Sequence, residues 1–299
     1  MSTLKQLLLI WMALVPSVCF SNTITIDIAV NSDQQQKYLQ LVQQQNCQTV
    51  NHYSHPAAYR LSLELLIICK ALTYSQLDFN FKFFDIPNYA RALKEAERGN
   101  VVMSATTVWQ DDMDTTNFYV TTAVFQSGQF IKGLFTTPEY KQQIELKLAG
   151  LPHAHSERVI LHALRNYHVL SSRQWWHDWA MLEKLELPAV NASQDNTLCL
   201  MLTAGRAQLF IGELVMVGPE QTSVPCESVN LAPIEGIKFV FPISRHFAVS
   251  NQHPYGQLVF NALQKGLAQL QQQGEIELVL FPTEKIRQDL KSRVDLYPH

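Results

Sequence analysis

In the segment LTAGRAQLFIGE a hydrophobic run ends in a carboxylate, Glu213. An acid at the end of a buried strand sits at the rim of a sheet. There it can cap the next turn, or it can receive a cationic or hydrogen-bond-donating group of a ligand. A second polar set closes the segment VVMSATT, where Ser104, Thr106 and Thr107 follow an apolar run. Hydroxyls in that position bond either the local backbone or a ligand, and spacing alone leaves both roles open. Trp109 and Tyr53 are candidate aromatic walls for such a site, with ordinary packing the alternative for each. The stretch WQDDMDTTNFYVTT adds three acids, Asp111, Asp112 and Asp114, of which Asp111 is a further candidate ligand contact, and no arginine.

Other chemistries find less support. PHAHSE brings His153, His155 and Glu157 close together, with His162 further on. Zinc needs three or four convergent ligands with an ordered surround, so no metal is expected. Neither GxGxxG nor GxxxxGK[ST] occurs, and no cofactor is expected. No Ser/His/Asp signature stands out. Catalysis by paired carboxylates would require Asp111 or Asp112 to face Glu213, and no catalytic residue is assigned. His177, beside Trp176, reads as a helix-surface residue.

The elements that must position these residues alternate. TITIDIAV, LDFNFKFFD, VVMSATTVW, FYVTTAVF, GQFIKGLFTT, HVL, PAVNAS and AQLFIGEL read as strands. HPAAYRLSLELLIICKALTY, IPNYARALKEAERGN, HSERVILHALRNY, SSRQWWHDWAMLEKLEL, QDNTLCLMLTAG and YGQLVFNALQKGLAQLQQQG read as helices. The Gln-rich stretch NSDQQQKYLQLVQQQNCQTVNHYS reads mostly as loop. Helices between strands predict an α/β fold of mostly parallel sheets covered on both faces. The 47% hydrophobic and 16% charged content supports packed cores rather than disorder. A formal charge of −3 gives no basic footprint for nucleic acid.

The first residues predict export. Lys5, an apolar run through Phe20 and small residues Cys19 and Ser21 before the cut form a secretory signal peptide over residues 1–21. Four cysteines then remain, and an oxidising compartment permits the sequence-neighbour pairs Cys47–Cys69 and Cys199–Cys226, with free buried thiols the alternative.

Four stretches in order carry a resemblance: IPNYARALKEAERGNVVMSATT, LTAGRAQLFIGE, FPISRHFAVSNQHP and FNALQKGLAQLQQQGEIELVL. With the signal peptide, the chain resembles the bacterial periplasmic solute-binding proteins of family 3, which have the type-2 periplasmic binding fold. The resemblance implies two α/β lobes joined by two crossing strands. Residues 22–127 and 238–299 would form lobe 1, and residues 128–237 lobe 2. A monomer would close on a small-molecule ligand and present it to a membrane ABC permease or a membrane sensor protein in the periplasm. Ser104 and Thr106 match the family's first ligand loop, and Glu213 its amino-group-binding acid. The family's carboxylate-clamping arginine has no counterpart in WQDDMDTT, so a polar ligand other than a standard amino acid, including a cationic one, is expected. An enzyme on the same fold is the third reading.

Overall fold

The computed structural model describes residues 23–43, 45–51, 53, 55–151, 156–192, 195–215 and 230–298. The expected signal peptide lies outside the described residues, as do Cys226, His153 and His155.

Alternating β-branched and aromatic residues build the first sheet. Its order is Phe79–Asp85, Ile24–Val30, Met103–Ser104, Ala248–Ser250, Phe118–Val120. Ile24–Val30 pairs in parallel on both sides, with Ile26 opposite Phe81 and Ile28 opposite Met103. The second sheet runs Val294–Asp295, Ile237–Phe241, Phe130–Thr136, Leu209–Glu213, Val169–Ser171, Ala189–Asn191, and Ala232–Pro233 also pairs with Phe130–Thr136. Parallel βαβ pairings are joined by antiparallel ones at Ala248–Ser250 and at Phe130–Thr136. The sheets are mixed because strands that return from one lobe to the other enter in the opposite direction.

The helix Arg60–Tyr74 is the axis of the first lobe. Eleven of its 15 residues are buried, more than one amphipathic stripe would need, so it must be covered nearly all round. The helix Gly256–Gln272 supplies one cover. Gly266 lets the two backbones touch: a Cβ built there would stand 1.9 Å from the Ala71 carbonyl oxygen. The Gln-rich stretch contains a helix, Ser32–Val42, where mostly loop was expected. Asn31 caps it by accepting from the Gln34 amide, and Tyr38, Leu41 and Val42 are buried. Glutamine is a good helix former, and the short apolar stripe was masked by polar composition.

Cys47 and Cys69 form a disulfide across a sequence separation of 22, which ties the turn Cys47–Thr49 to the axial helix. Removing it is expected to lower stability by about 3 kcal/mol, the chain-entropy value for a loop of this length. The check is the urea midpoint of a Cys47→Ala/Cys69→Ala variant against that of the parent chain, which leaves the bridge of Cys199 in place, and an unchanged midpoint would count against that value. Cys199 is disulfide-bonded, and its expected partner Cys226 lies outside the described residues.

The chain crosses between the sheets three times, where two crossings were expected. It passes over between Phe118–Val120 and Phe130–Thr136, and returns between Ile237–Phe241 and Ala248–Ser250. After the helices Gly256–Gln272 and Glu275–Leu280 it goes back once more, because Val294–Asp295 pairs with Ile237–Phe241 in the second sheet. Residues 238–241 and the final strand therefore belong to the second sheet, not to lobe 1 as the 238–299 assignment had it. A polar helix, Glu284–Ser292, and a two-residue strand carry too little apolar pattern to announce themselves. The first two crossings are joined to each other: the Val124 amide donates to the Arg245 carbonyl at 2.9 Å, and the Arg245 amide to the Phe125 carbonyl at 2.9 Å.

Candidate functional site

A cleft of about 940 Å³ opens between the two sheets and is lined from both lobes. Its floor is aromatic. Trp109 is buried, with its ring 4.9 Å from Phe130, 5.3 Å from Phe241 and 4.7 Å from His177. The Arg245 guanidinium lies 4.3 Å from the Trp109 ring and 4.6 Å from Phe130, a cation–π arrangement favoured when water is excluded.

Charged groups circle that floor in one connected chain. Arg245 Nε donates to Thr107 Oγ1 at 2.9 Å and Nη2 to the Thr107 carbonyl at 2.5 Å. Thr107 in turn gives its hydroxyl to Glu64 Oε1 at 2.7 Å and its amide to Oε2 at 3.1 Å. Arg60 Nη1 donates to both oxygens of Glu64 at 3.2 Å, and its Nε reaches Glu213 Oε1 at 3.2 Å. Arg60 starts the axial helix of the first lobe and Glu213 ends a strand of the second, so this pair spans the cleft. Lys132 lies opposite Glu213 on the neighbouring strand. It is 3.7 Å from Glu213 and donates to Asp178 Oδ2 at 2.5 Å.

The protonation states follow from these neighbours. Burial pushes the Glu213 carboxyl up, but Arg60 and then Lys132 outweigh it and hold it below the usual range. Burial raises the Asp178 carboxyl despite Lys132. It lowers Arg245, with Arg60 nearby adding to the effect. Asp112 is held below the carboxylate range although burial opposes this, because the neighbouring His177 ring favours its charged form and Tyr89 and Trp176 hydrogen-bond it.

Ser104, Thr106, Trp109 and Glu213 of the expected set line the cleft. Ser104 Oγ and Thr106 Oγ1 are 3.1 Å apart, and the Thr106 amide donates to Ser104 Oγ at 3.3 Å. Thr107 stands behind the wall, fully buried, as the link between Arg245 and Glu64. Thr107 is therefore not the ligand contact expected, and two further expectations are corrected. Tyr53 is not in the cleft: its hydroxyl donates to Glu275 at 2.6 Å and accepts from Lys70 at 3.3 Å, beneath the C-terminal helices of the first lobe. Asp111 does not line the cleft either. It lies in the 3₁₀ turn Gln110–Asp112, where successive side chains point about 120° apart, and Asp112 is the residue that faces inward.

Arg60, Lys132, Asp112, Asp178, Arg245 and His177 went unassigned in the sequence. A lysine inside the apolar run FIKGLF was a usable signal, since an isolated in-strand charge has to be paired. His177 is buried rather than on a helix surface, and its Nε2 has no hydrogen-bond partner. Among the described residues no group of three or more His, Cys, Asp and Glu converges. Glu157 and His162 are exposed.

No family model matches the chain, and no curated protein matches it. Solved structures do. An amino acid ABC transporter substrate-binding protein from Streptococcus pneumoniae, bound to L-arginine, is 9% identical over 88% of this chain and 94% of that one, with a TM-score of 0.55. A mutant of ArgBP from T. maritima is 9% identical, with 89% and 95% covered and a TM-score of 0.51. The VFT2 domain of BvgS from Bordetella pertussis is 11% identical, with 84% and 91% covered and a TM-score of 0.51. The fold is thus that of the two-lobed periplasmic binding proteins, and no helix among the described residues is long and apolar enough to cross a membrane.

Proposed function

We propose that the chain is an exported, monomeric solute-binding protein that holds a small polar molecule between its lobes for an ABC-type permease, and that it carries out no catalysis. The observation that carries this reading is Arg245. Its guanidinium is buried and lines the cleft, and among the described residues no carboxylate lies within ion-pair distance of it. A buried cation without a counter-charge is costly. The hydroxyl and carbonyl of Thr107 use two of its donor atoms, Nε and Nη2. The matching ligand group is an anion, above all a carboxylate, which a guanidinium holds by paired hydrogen bonds. A ligand cation at Glu213 fits less well, because Arg60 and Lys132 already neutralise that carboxylate. Arg245 would then take the part of the arginine missing from WQDDMDTT, from the returning strand instead of the first loop.

The test is a thermal-shift screen against amino acids, organic acids, polyamines and sugars. A ligand at a hundred times its dissociation constant stabilises the folded state by about 2.7 kcal/mol. Carboxylate-bearing compounds are expected to raise Tm, and Arg245→Gln to abolish the rise without unfolding the chain. A carboxylate hit that survives Arg245→Gln would remove Arg245 from the site. The second reading is a sensor module for a membrane signalling partner. It is favoured by the Arg60–Glu213 pair, through which the chain's own side chains link the two lobes.

A further inference from the structure

Asp112 mirrors Arg245. It is a half-buried carboxylate of the cleft, and no lysine or arginine lies within ion-pair distance of it among the described residues. Its one basic neighbour is His177, whose Nε2 is 3.7 Å from Asp112 Oδ1, and the two side chains are 10% and 5% exposed. That distance is beyond the 2.7–3.2 Å of a nitrogen–oxygen hydrogen bond. His177 Nε2 is correspondingly without a partner, although it is buried and its residue lines the cleft. The carboxylate is positioned by neutral donors instead. Tyr89 gives its hydroxyl to Oδ2 at 2.6 Å, and Trp176 its indole N–H to Oδ1 at 2.5 Å. These bonds fix the carboxylate and keep it ionised but leave its charge unmatched, which is costly in a buried site.

We infer that Asp112 and His177 form the receiving end for an ammonium group of the ligand, walled by Trp109 and Trp176. This rests on the reading of the cleft as a solute site and names the ligand class: a small molecule with an ammonium group and, for Arg245, a carboxylate. A nitrogen placed about 2.9 Å from both Asp112 Oδ1 and His177 Nε2 satisfies both acceptors at once, with His177 as the Nδ1–H tautomer. The walls suit a cation. The His177 ring lies 3.6 Å from the Trp176 ring and 4.7 Å from that of Trp109, so the acceptor nitrogen belongs to a ring set among indoles, surroundings in which a cation is favoured. Trp109 also stacks on Arg245, so a single indole adjoins the unmatched cation on one side and the histidine of the unmatched acid on the other. Glu213 and Asp178, which also line the cleft, have lysine or arginine partners, and Asp33 and Asp85 are exposed.

The experiment is calorimetric titration of the whole chain with a series of ω-amino acids, with monocarboxylates of the same length as reference. At least one ω-amino acid is expected to bind about tenfold or more tightly than its matching monocarboxylate, and Asp112→Asn to erase that gain while leaving monocarboxylate binding in place. His177→Phe keeps a ring beside the indoles and removes Nε2. It is expected to lose part of the gain, and it serves as the readout should Asp112→Asn fail to fold. Equal affinity for amino acids and monocarboxylates overturns the ammonium subsite while leaving Arg245 and the solute site standing. An amine gain that survives Asp112→Asn overturns it as well, and so does failure of every ω-amino acid to bind. Amine binding with no response to the carboxylate would instead sink the role of Arg245 and leave this subsite intact.

Discussion

Glu64→Ala is expected to cost about 3–5 kcal/mol, the range for breaking a buried ion pair from one side. Glu64 is fully buried. It accepts from Arg60, from the Thr107 hydroxyl and from the Thr107 amide. Alanine would strand that amide inside the first lobe and leave Arg60 with Glu213 alone. The loss would also reach Arg245, whose Nε rests on the Thr107 hydroxyl that Glu64 orients. Glu64→Gln keeps the shape and one acceptor oxygen but removes the charge, and should lose roughly half as much, in line with a charged hydrogen bond at 1.5–3 kcal/mol. Urea unfolding followed by fluorescence and by far-UV circular dichroism measures both variants. An alanine loss below about 1 kcal/mol would show that the polar chain around the cleft contributes little to stability.

Gly266→Ala is expected to be nearly as damaging, at about 3 kcal/mol, the upper part of the usual overpacking range. The added carbon would stand 1.9 Å from the Ala71 carbonyl oxygen and 2.4 Å from its carbonyl carbon. Both are backbone atoms of the axial helix, and the oxygen already accepts from the Ser75 amide at 3.0 Å, so no side chain can swing aside to relieve the clash. The helices must separate, and the packing of Leu63, Leu267 and Leu270 between them loosens. Gly150→Ala is the matched control. Its backbone is right-handed helical, and the nearest atom to an added carbon is 3.4 Å away, so its effect should stay within about 0.5 kcal/mol. Equal melting temperatures for the two variants would contradict the close helix approach.

The parts of this architecture that rest on local pattern were legible. Ile24–Val30 alternates, Leu209–Glu213 ends in its acid, and the run before Ser104 places that residue at a sheet's rim. What escaped depends on distant pieces of chain meeting. Arg60, Lys132 and Arg245 lie far apart in sequence and gather around the Phe130 ring within 6 Å only once both lobes are built. Tyr53 looked like a cleft aromatic because its loop is polar, yet the loop is pinned by a disulfide and by Lys70, under other helices. His177 looked exposed because its helix is short and rich in tryptophan, yet it lies with Asp178, Met181 and Leu182 on the buried face of that helix while Trp176 is exposed. Asp111 and Asp112 could not be told apart without the phase of a single 3₁₀ turn. The question raised by Glu213 changes accordingly: this acid holds two cations of its own chain, and the unmatched charges sit elsewhere.

The segment 284–298 carries a consequence for solubility. Ile237–Phe241 would otherwise end the second sheet as a bare edge of apolar side chains, a template on which a foreign strand can grow. Val294–Asp295 covers it, the Asp295 carboxylate receives the Val240 amide at 3.0 Å, and Arg293 grips the carbonyls of Ile234 and Ile237. The third crossing thus acts as a selvedge, binding off the sheet so that the fabric does not run into its neighbours.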